Sequence, residues 1–276
     1  MFIRTILLAA CTTALLNVNA QSHTDTSAIR TMFYGGAGLV VPGSAMKEQS
    51  MIGTGPDFRF GIFQSFYKHQ SPKLSYQIGL ELRLSYAKFA YELSTPSSLD
   101  AIRYNNGTGT PAQIMLREDH KAKKPDAFHY LIGPAVNFYS GKTFFGASLL
   151  FGYSSFAQEA FRFHDTIRNT ANPAQNRNID FYSASHETNN KFTFSPGIKA
   201  GYRFTKNLAF FLAADFSMGG THDFEDRLFT PAGNPTNGVY DFNQLANGTI
   251  VPYQRHSDLR LLSFSGNLAL TLPYRR

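Results

Sequence analysis

LSYQIGLELRLSY, residues 74–86, alternates without a break. Leu74, Tyr76, Ile78, Leu80, Leu82, Leu84 and Tyr86 fall on one side; Ser75, Gln77, Gly79, Glu81, Arg83 and Ser85 fall on the other. Period two over this length is an extended strand. A strand of a soluble sandwich is nearer five or six residues long and turns its polar side to water. Here the apolar side is the continuous one, and the opposite side is too small and too charged for a soluble core. An apolar solvent outside and a polar interior satisfy both observations, as in a strand that crosses a bilayer within a closed barrel.

The pattern recurs. KFTFSPGIKAGYRF (191–204) and DLRLLSFSGNLALTL (258–272) alternate in the same way, and weaker versions lie at about 31–41, 57–67, 127–139, 143–156 and 208–218. No amphipathic helix separates these eight segments, so neighbours pair antiparallel. The connections at 68–73, 140–142 and 205–207 are short, whereas those at 42–56, 92–126, 157–190 and 219–257 are long. The expected fold is all-β: an eight-stranded antiparallel up-and-down transmembrane β-barrel with three short periplasmic turns and four long extracellular loops. A further strand pair within 108–118 or 223–243 would raise the count to ten. Pro134 and Pro196 sit inside strands of a sheet without a free edge, which predicts bulges there.

The 276 residues are 16% charged and 14% aromatic, with 26 Phe, 14 Tyr and no Trp. MFIRTILLAACTTALLNVNA, with Arg4, an apolar stretch and Val18-Asn19-Ala20 before Gln21, has the form of a signal peptide. The expected organisation is a signal peptide over 1–20, a short periplasmic segment over 21–30 and one barrel domain over 31–276. A lipoprotein reading of Leu8-Ala9-Ala10-Cys11 leaves too short an apolar segment. Cys11 is the only cysteine, so a processed chain has neither disulfides nor thiolate chemistry.

With Ala20-Gln21, eight strands and segments such as SPGIKAGYRF and LIGPAVNFY, the chain resembles the small outer-membrane β-barrel proteins common in Bacteroidetes-type bacteria, similar in architecture to OmpX and OmpA membrane domains. The resemblance implies fold and an integral outer-membrane location, with the lipid bilayer, the lipopolysaccharide leaflet and the assembly machinery as surroundings. It implies no activity. Such barrels often end on an aromatic residue, whereas Tyr274 is followed by Arg275 and Arg276.

Strand parity points Arg59, Gln77, Glu81, Arg83, His129, Lys199, Arg203 and Asp215 inward, with Asn137 and Asn267. An eight-stranded barrel is only wide enough for side chains to fill it, so acids and bases are expected to pair as a plug that fixes register. The excess of bases over acids leaves a narrow anion-preferring path as the sharper alternative. Phe66, Tyr67, Tyr76, Phe138, Tyr139, Phe144, Phe145, Tyr202, Phe204, Phe210, Phe211 and Tyr274 flank the short turns and the C-terminus, as an aromatic girdle at one membrane interface would.

The long loops carry Phe161-Arg-Phe163, Phe181-Tyr182 and Val239-Tyr-Asp-Phe242, which read as strand extensions or docking aromatics. His164-Asp165, His186-Glu187 and His222-Asp223 lack metal-ligand spacing, and no serine sits in a nucleophile motif, so neither a catalytic residue, a metal nor a cofactor is expected. The net charge of +7 builds no basic stripe with interleaved aromatics, which argues against nucleic acid. The expected role is a non-enzymatic surface-loop scaffold or envelope structural protein in adhesion or assembly support, with an envelope or extracellular protein partner on the loops. Rivals are a narrow pore, an outer-leaflet hydrolase or acyltransferase, and a periplasmic lipocalin-like binder with inverted parity.

Overall fold

The computed structural model describes residues 30–70, 74–93, 99, 102–120 and 124–273; for 48–50 only the backbone is described. The expected signal peptide over 1–20, most of the 21–30 segment and Tyr274 lie outside these residues.

Eight strands close into a ring: β1 (Arg30–Pro42), β2 (Gly55–His69), β3 (Ser75–Lys88), β7 (Asp126–Ser140), β8 (Thr143–Gln158), β11 (Glu187–Arg203), β12 (Leu208–Thr230) and β14 (Thr249–Pro273). Each pairs antiparallel with the next, β1 pairs with β14, and the β11–β12 ladder completes the closure. Closure satisfies the backbone groups of every wall strand and leaves no edge along the wall.

The stretch at 74–86 shows the sense of the wall. Leu80 points out and is 48% exposed, whereas Glu81 and Arg83 are 1% and 5% exposed. The same holds around the ring, where Ile198, Leu212, Leu268 and Phe145 stand outside. An apolar belt therefore faces outward over charged residues that face inward, which overturns the inverted, lipocalin-like parity.

The prolines do not make bulges. Pro134 and Pro196 keep register with Leu80 and Leu149 respectively. Their other ladders lapse for two residues and resume in the same register. A missing donor is absorbed by a local gap, because an inserted residue would flip every side chain beyond it. Bulges fall instead between Ser65 and Tyr67 and between Met218 and Thr221.

The second of these marks where the wall ends and a cap begins. β11 accompanies β12 only as far as Gly219. Beyond it, β10 (Arg177–Ala184) takes the place beside β12, followed by β9 (Phe161–Ile167) and β6 (Arg117–His120). β4 (Arg103–Asn105), β5 (Pro111–Gln113) and β13 (Val239–Asp241) form a separate small sheet, and α2 (Phe242–Ala246) lies next to it. The long loops are thus folded, and the added strands belong to the cap rather than to the ring.

Candidate functional site

Three layers fill the lumen. Nearest the short turns, Met32, Phe63, Phe144, Ala209, Phe211 and Ala269 form a buried apolar floor, with Tyr139 packed against it. Phe144 and Phe211 are each 1% exposed and meet edge-on at 5.9 Å between ring centres. These two and Tyr139 are therefore inside and not in the outer girdle. The reason is parity: in Tyr139 after Phe138, Phe145 after Phe144 and Phe211 after Phe210, one ring of each pair must face in. Phe66, Tyr67, Phe138, Phe145, Tyr202, Phe204 and Phe210 do stand outside, and Tyr76 is half-buried.

The middle layer is charged. Arg59 bonds Asp57 and Asp215; Arg83 Nη1 reaches the other Asp215 oxygen at 2.5 Å. Arg83 Nη2 donates to Glu81 at 2.9 Å and to Ser148 at 3.2 Å, and Lys199 donates to Glu81 at 2.8 Å. The Tyr34 hydroxyl donates to Glu81 at 2.6 Å. β3 and β12 sit four places apart in the eight-strand ring, so the Arg83–Asp215 bond crosses the full lumen. Gly197 makes room for it, since a Cβ there would meet Asp215 Oδ1 at 1.9 Å.

Two expectations change here. Arg203 is outside the network; it lies at the turn-side mouth, donates to the Gly141 carbonyl and covers the Tyr139 ring at 4.8 Å. Parity set its direction, but its place one residue from the turn puts it below the plug. Asp57 joins in its stead, as does Tyr34. Asp57 shares parity with Arg59 two residues on, a signal available in the sequence; Tyr34 carries no charge to draw notice. Arg59, Arg83 and Lys199 now face Asp57, Glu81 and Asp215, three against three, which removes the base excess behind the anion-path alternative. Gln77, His129, Asn137 and Asn267 are buried around this layer; His129 Nδ1 lies 2.5 Å from Ser154 Oγ, and Tyr139 donates to Gln77. The space left among Tyr34, Glu81, Arg83, Ser148 and Lys199 is about 10 Å³, no more than one water occupies.

Above it comes an apolar plug. Val40, Ile52, Phe89, Phe156, Phe224, Leu259 and Leu261 are buried together, and α1 (Ser44–Ser50) inserts Met46 among them. His222 lies in this plug, edge-on to Phe156 at 5.7 Å and stacked with Phe224. Among the described residues neither of its ring nitrogens has a hydrogen-bond partner. Burial pushes its pKa down to about 4; Lys191 adds to this and Asp223 opposes it. An unfolded histidine titrates near 6.5, so this group's contribution is complete above pH ~6.5 and is lost as pH falls toward 4, by ~3 kcal/mol at most. Urea midpoints measured from pH 7.5 to 4.5 should fall more steeply for the native chain than for His222→Leu. Parallel slopes would remove His222 from the account.

Over the plug, Arg255 donates to Asp226 at 2.7 Å and to Gln158 at 2.8 Å, and Tyr182 donates to Asp226. The cap's own core continues upward through Phe161, Phe163, Ile167, Phe181, Tyr182, Phe229, Phe242 and Leu245. The loop aromatics sit on the cap's own strands β9, β10 and β13 and on α2 rather than on extensions of wall strands; Phe161, Phe163, Phe181, Tyr182 and Phe242 are buried, and Val239 and Tyr240 are partly buried. Of the three loop His–acid pairs, strand parity separates two, His164–Asp165 on β9 and His222–Asp223 on β12, while His186 precedes β11. His222 faces in and Asp223 out, where Asp223 meets His256 at 2.7 Å. His186 lies 3.3 Å from Glu159, and Asp165 accepts from the Met115 amide at 2.8 Å. Among the described residues no three His, Cys, Asp or Glu side chains come together as a metal site would need.

No protein-family model matches the chain, and no curated protein sequence matches it. Similar solved structures include a major outer membrane protein from Thermus thermophilus, at 10% identity and TM-score 0.41, covering 88% of this chain and 99% of that one. Ail, the attachment invasion locus protein of Yersinia pestis, gives 8% identity and TM-score 0.39, over 89% of this chain and 99% of that one. The outer membrane protease OmpT from Escherichia coli gives 9% and 0.39, over 92% and 99%. Superpositions this loose carry no functional argument. The closed antiparallel ring, apolar outside and charged within, is by its own geometry a β-barrel of the small outer-membrane type.

Proposed function

We propose that the protein is an integral outer-membrane barrel without enzymatic activity, sealed to solutes, that holds a folded cap at the cell surface. It serves as a scaffold in adhesion or in support of an envelope assembly, with a protein partner reaching the cap. The short turns face the periplasm and the cap faces outward, as is usual for such barrels. The observation that carries this reading is the continuity of β12 and β14 from wall into cap. These two strands stay paired through the belt and on to Thr230 and Thr249, so the cap rides on an extension of the wall. Elements built this way are positioned as rigidly as the scaffold itself, which suits presentation of a surface. The charge balance of the lumen and the layers above and below it support the absence of transport.

The test is electrical. The purified barrel, inserted into a planar lipid bilayer, should leave the conductance at the level of the bare membrane. A steady ohmic conductance per inserted molecule would overturn the sealed reading and favour the narrow pore.

A further inference from the structure

Within the cap, β10 and β12 diverge. They pair only at 182–184 and 226–228; beyond that point β10 keeps to β9, and β12 keeps to β14. A wedge-shaped cleft of about 440 Å³ opens between 177–180 of β10 and the upper ends of β12 and β14, a volume in the range of ligand sites. Among the described residues no backbone hydrogen bond crosses it, so each side presents a strand edge. Ile179, Phe229 and Leu245 wall the cleft, together with Ile250, which is 52% exposed. Arg162, also in the wall, is committed to Asp180 at 3.4 Å and to Asp119 at 2.8 Å. Arg177 and Asn178 stand exposed on the β10 side, and among the described residues neither side chain makes a hydrogen bond or ion pair. The outermost strand of the same sheet gives the contrast. β6 is four residues long, exposed throughout and carries Arg117, Glu118 and Asp119, the form in which an edge resists pairing. The edges in the cleft lie instead beside Ile179, Phe229 and Ile250.

We infer that this cleft takes an extended peptide segment of the partner, with an acidic side chain beside apolar ones. The inference rests on the reading of a protein partner at the cap, and adds the place and the chemistry. Two unpaired strand edges that face one gap suit a chain offering backbone donors and acceptors of its own. Apolar walls receive its alternate side chains, because an extended segment turns every second residue to one face. The uncommitted guanidinium of Arg177 receives a carboxylate, which it can grip with two parallel hydrogen bonds.

The test offers the full-length barrel, purified in mild detergent, a pool of short end-blocked peptides that alternate apolar residues with Asp, Gln or Lys, and reads the retained peptides by mass spectrometry. Peptides with Asp should be retained roughly tenfold over those with Lys, the effect of a charge-assisted hydrogen bond. Arg177→Gln should remove that preference, and because the residue is exposed, the variant's fold is checked by its unboiled mobility on an SDS gel. Methylating alternate backbone nitrogens of a retained peptide should abolish its retention. No peptide retained, retention that ignores charge, a preference that survives Arg177→Gln, or indifference to methylation overturns the inference. So does a dimer in native mass spectra that Ile250→Asp splits, which would give the cleft to a second copy of the chain. A barrel that conducts in a bilayer yet selects acidic peptides overturns the sealed reading alone. A silent barrel that selects none overturns the inference alone.

Discussion

Asp215→Asn should lower barrel stability by ~3–5 kcal/mol, the cost of breaking a buried ion pair by removing one partner. Asp215 takes two guanidinium groups, Arg59 from β2 and Arg83 from the opposite wall. Asparagine keeps the shape but loses the charge, so the layer passes from three against three to a net +1 with about one water's space to screen it. A desolvated surplus charge cannot relax outward, because the apolar floor and the plug close both ends. The measurement is the urea concentration at which the unboiled, fast-migrating form disappears on a gel, read against the native chain. The double variant with Arg59→Met restores neutrality and should cost less than the sum of the two single changes. Additive costs would mean that the Arg59–Asp215 bond contributes nothing of its own.

The network also shows where reading by parity stops. Alternation at 74–86 places Glu81 and Arg83 inside without any tertiary information, because a strand has only two faces and one of them is continuously apolar. Parity says nothing about depth. Arg203 has the right face but lies beside a turn, at the mouth; Asp57 has the right face and depth but stands near the start of its strand, where alternation is shortest. Consecutive aromatics mislead for the same reason, since Phe144 and Phe145 share a depth and cannot share a face. The ring follows from eight alternating segments and their turn lengths. The cap does not, because the replacement of β11 by β10 beside β12 depends on where one ladder gives out at Gly219, and neither partner's sequence records that.

Phe156→Ala should cost a comparable ~3–5 kcal/mol and yet open no path through the barrel. Phe156 is fully buried on β8 and touches rings on three sides: Phe89 at 5.9 Å, Phe224 at 6.0 Å and His222 at 5.7 Å. These come from the segment after β3 and from the extended part of β12, so truncation empties the point where wall and cap meet. The void is walled by large buried side chains, Phe224 and His222 of them held on β12, which can collapse only in part, and that places the loss at the upper end for such changes. Below the void the charged layer remains, tied across the lumen, and below that the ring of Phe144 and Phe211. The urea midpoint should therefore fall sharply while bilayer conductance stays at background. If conductance appears with this single truncation, the plug alone holds the seal, and the paired charges beneath it line a passage.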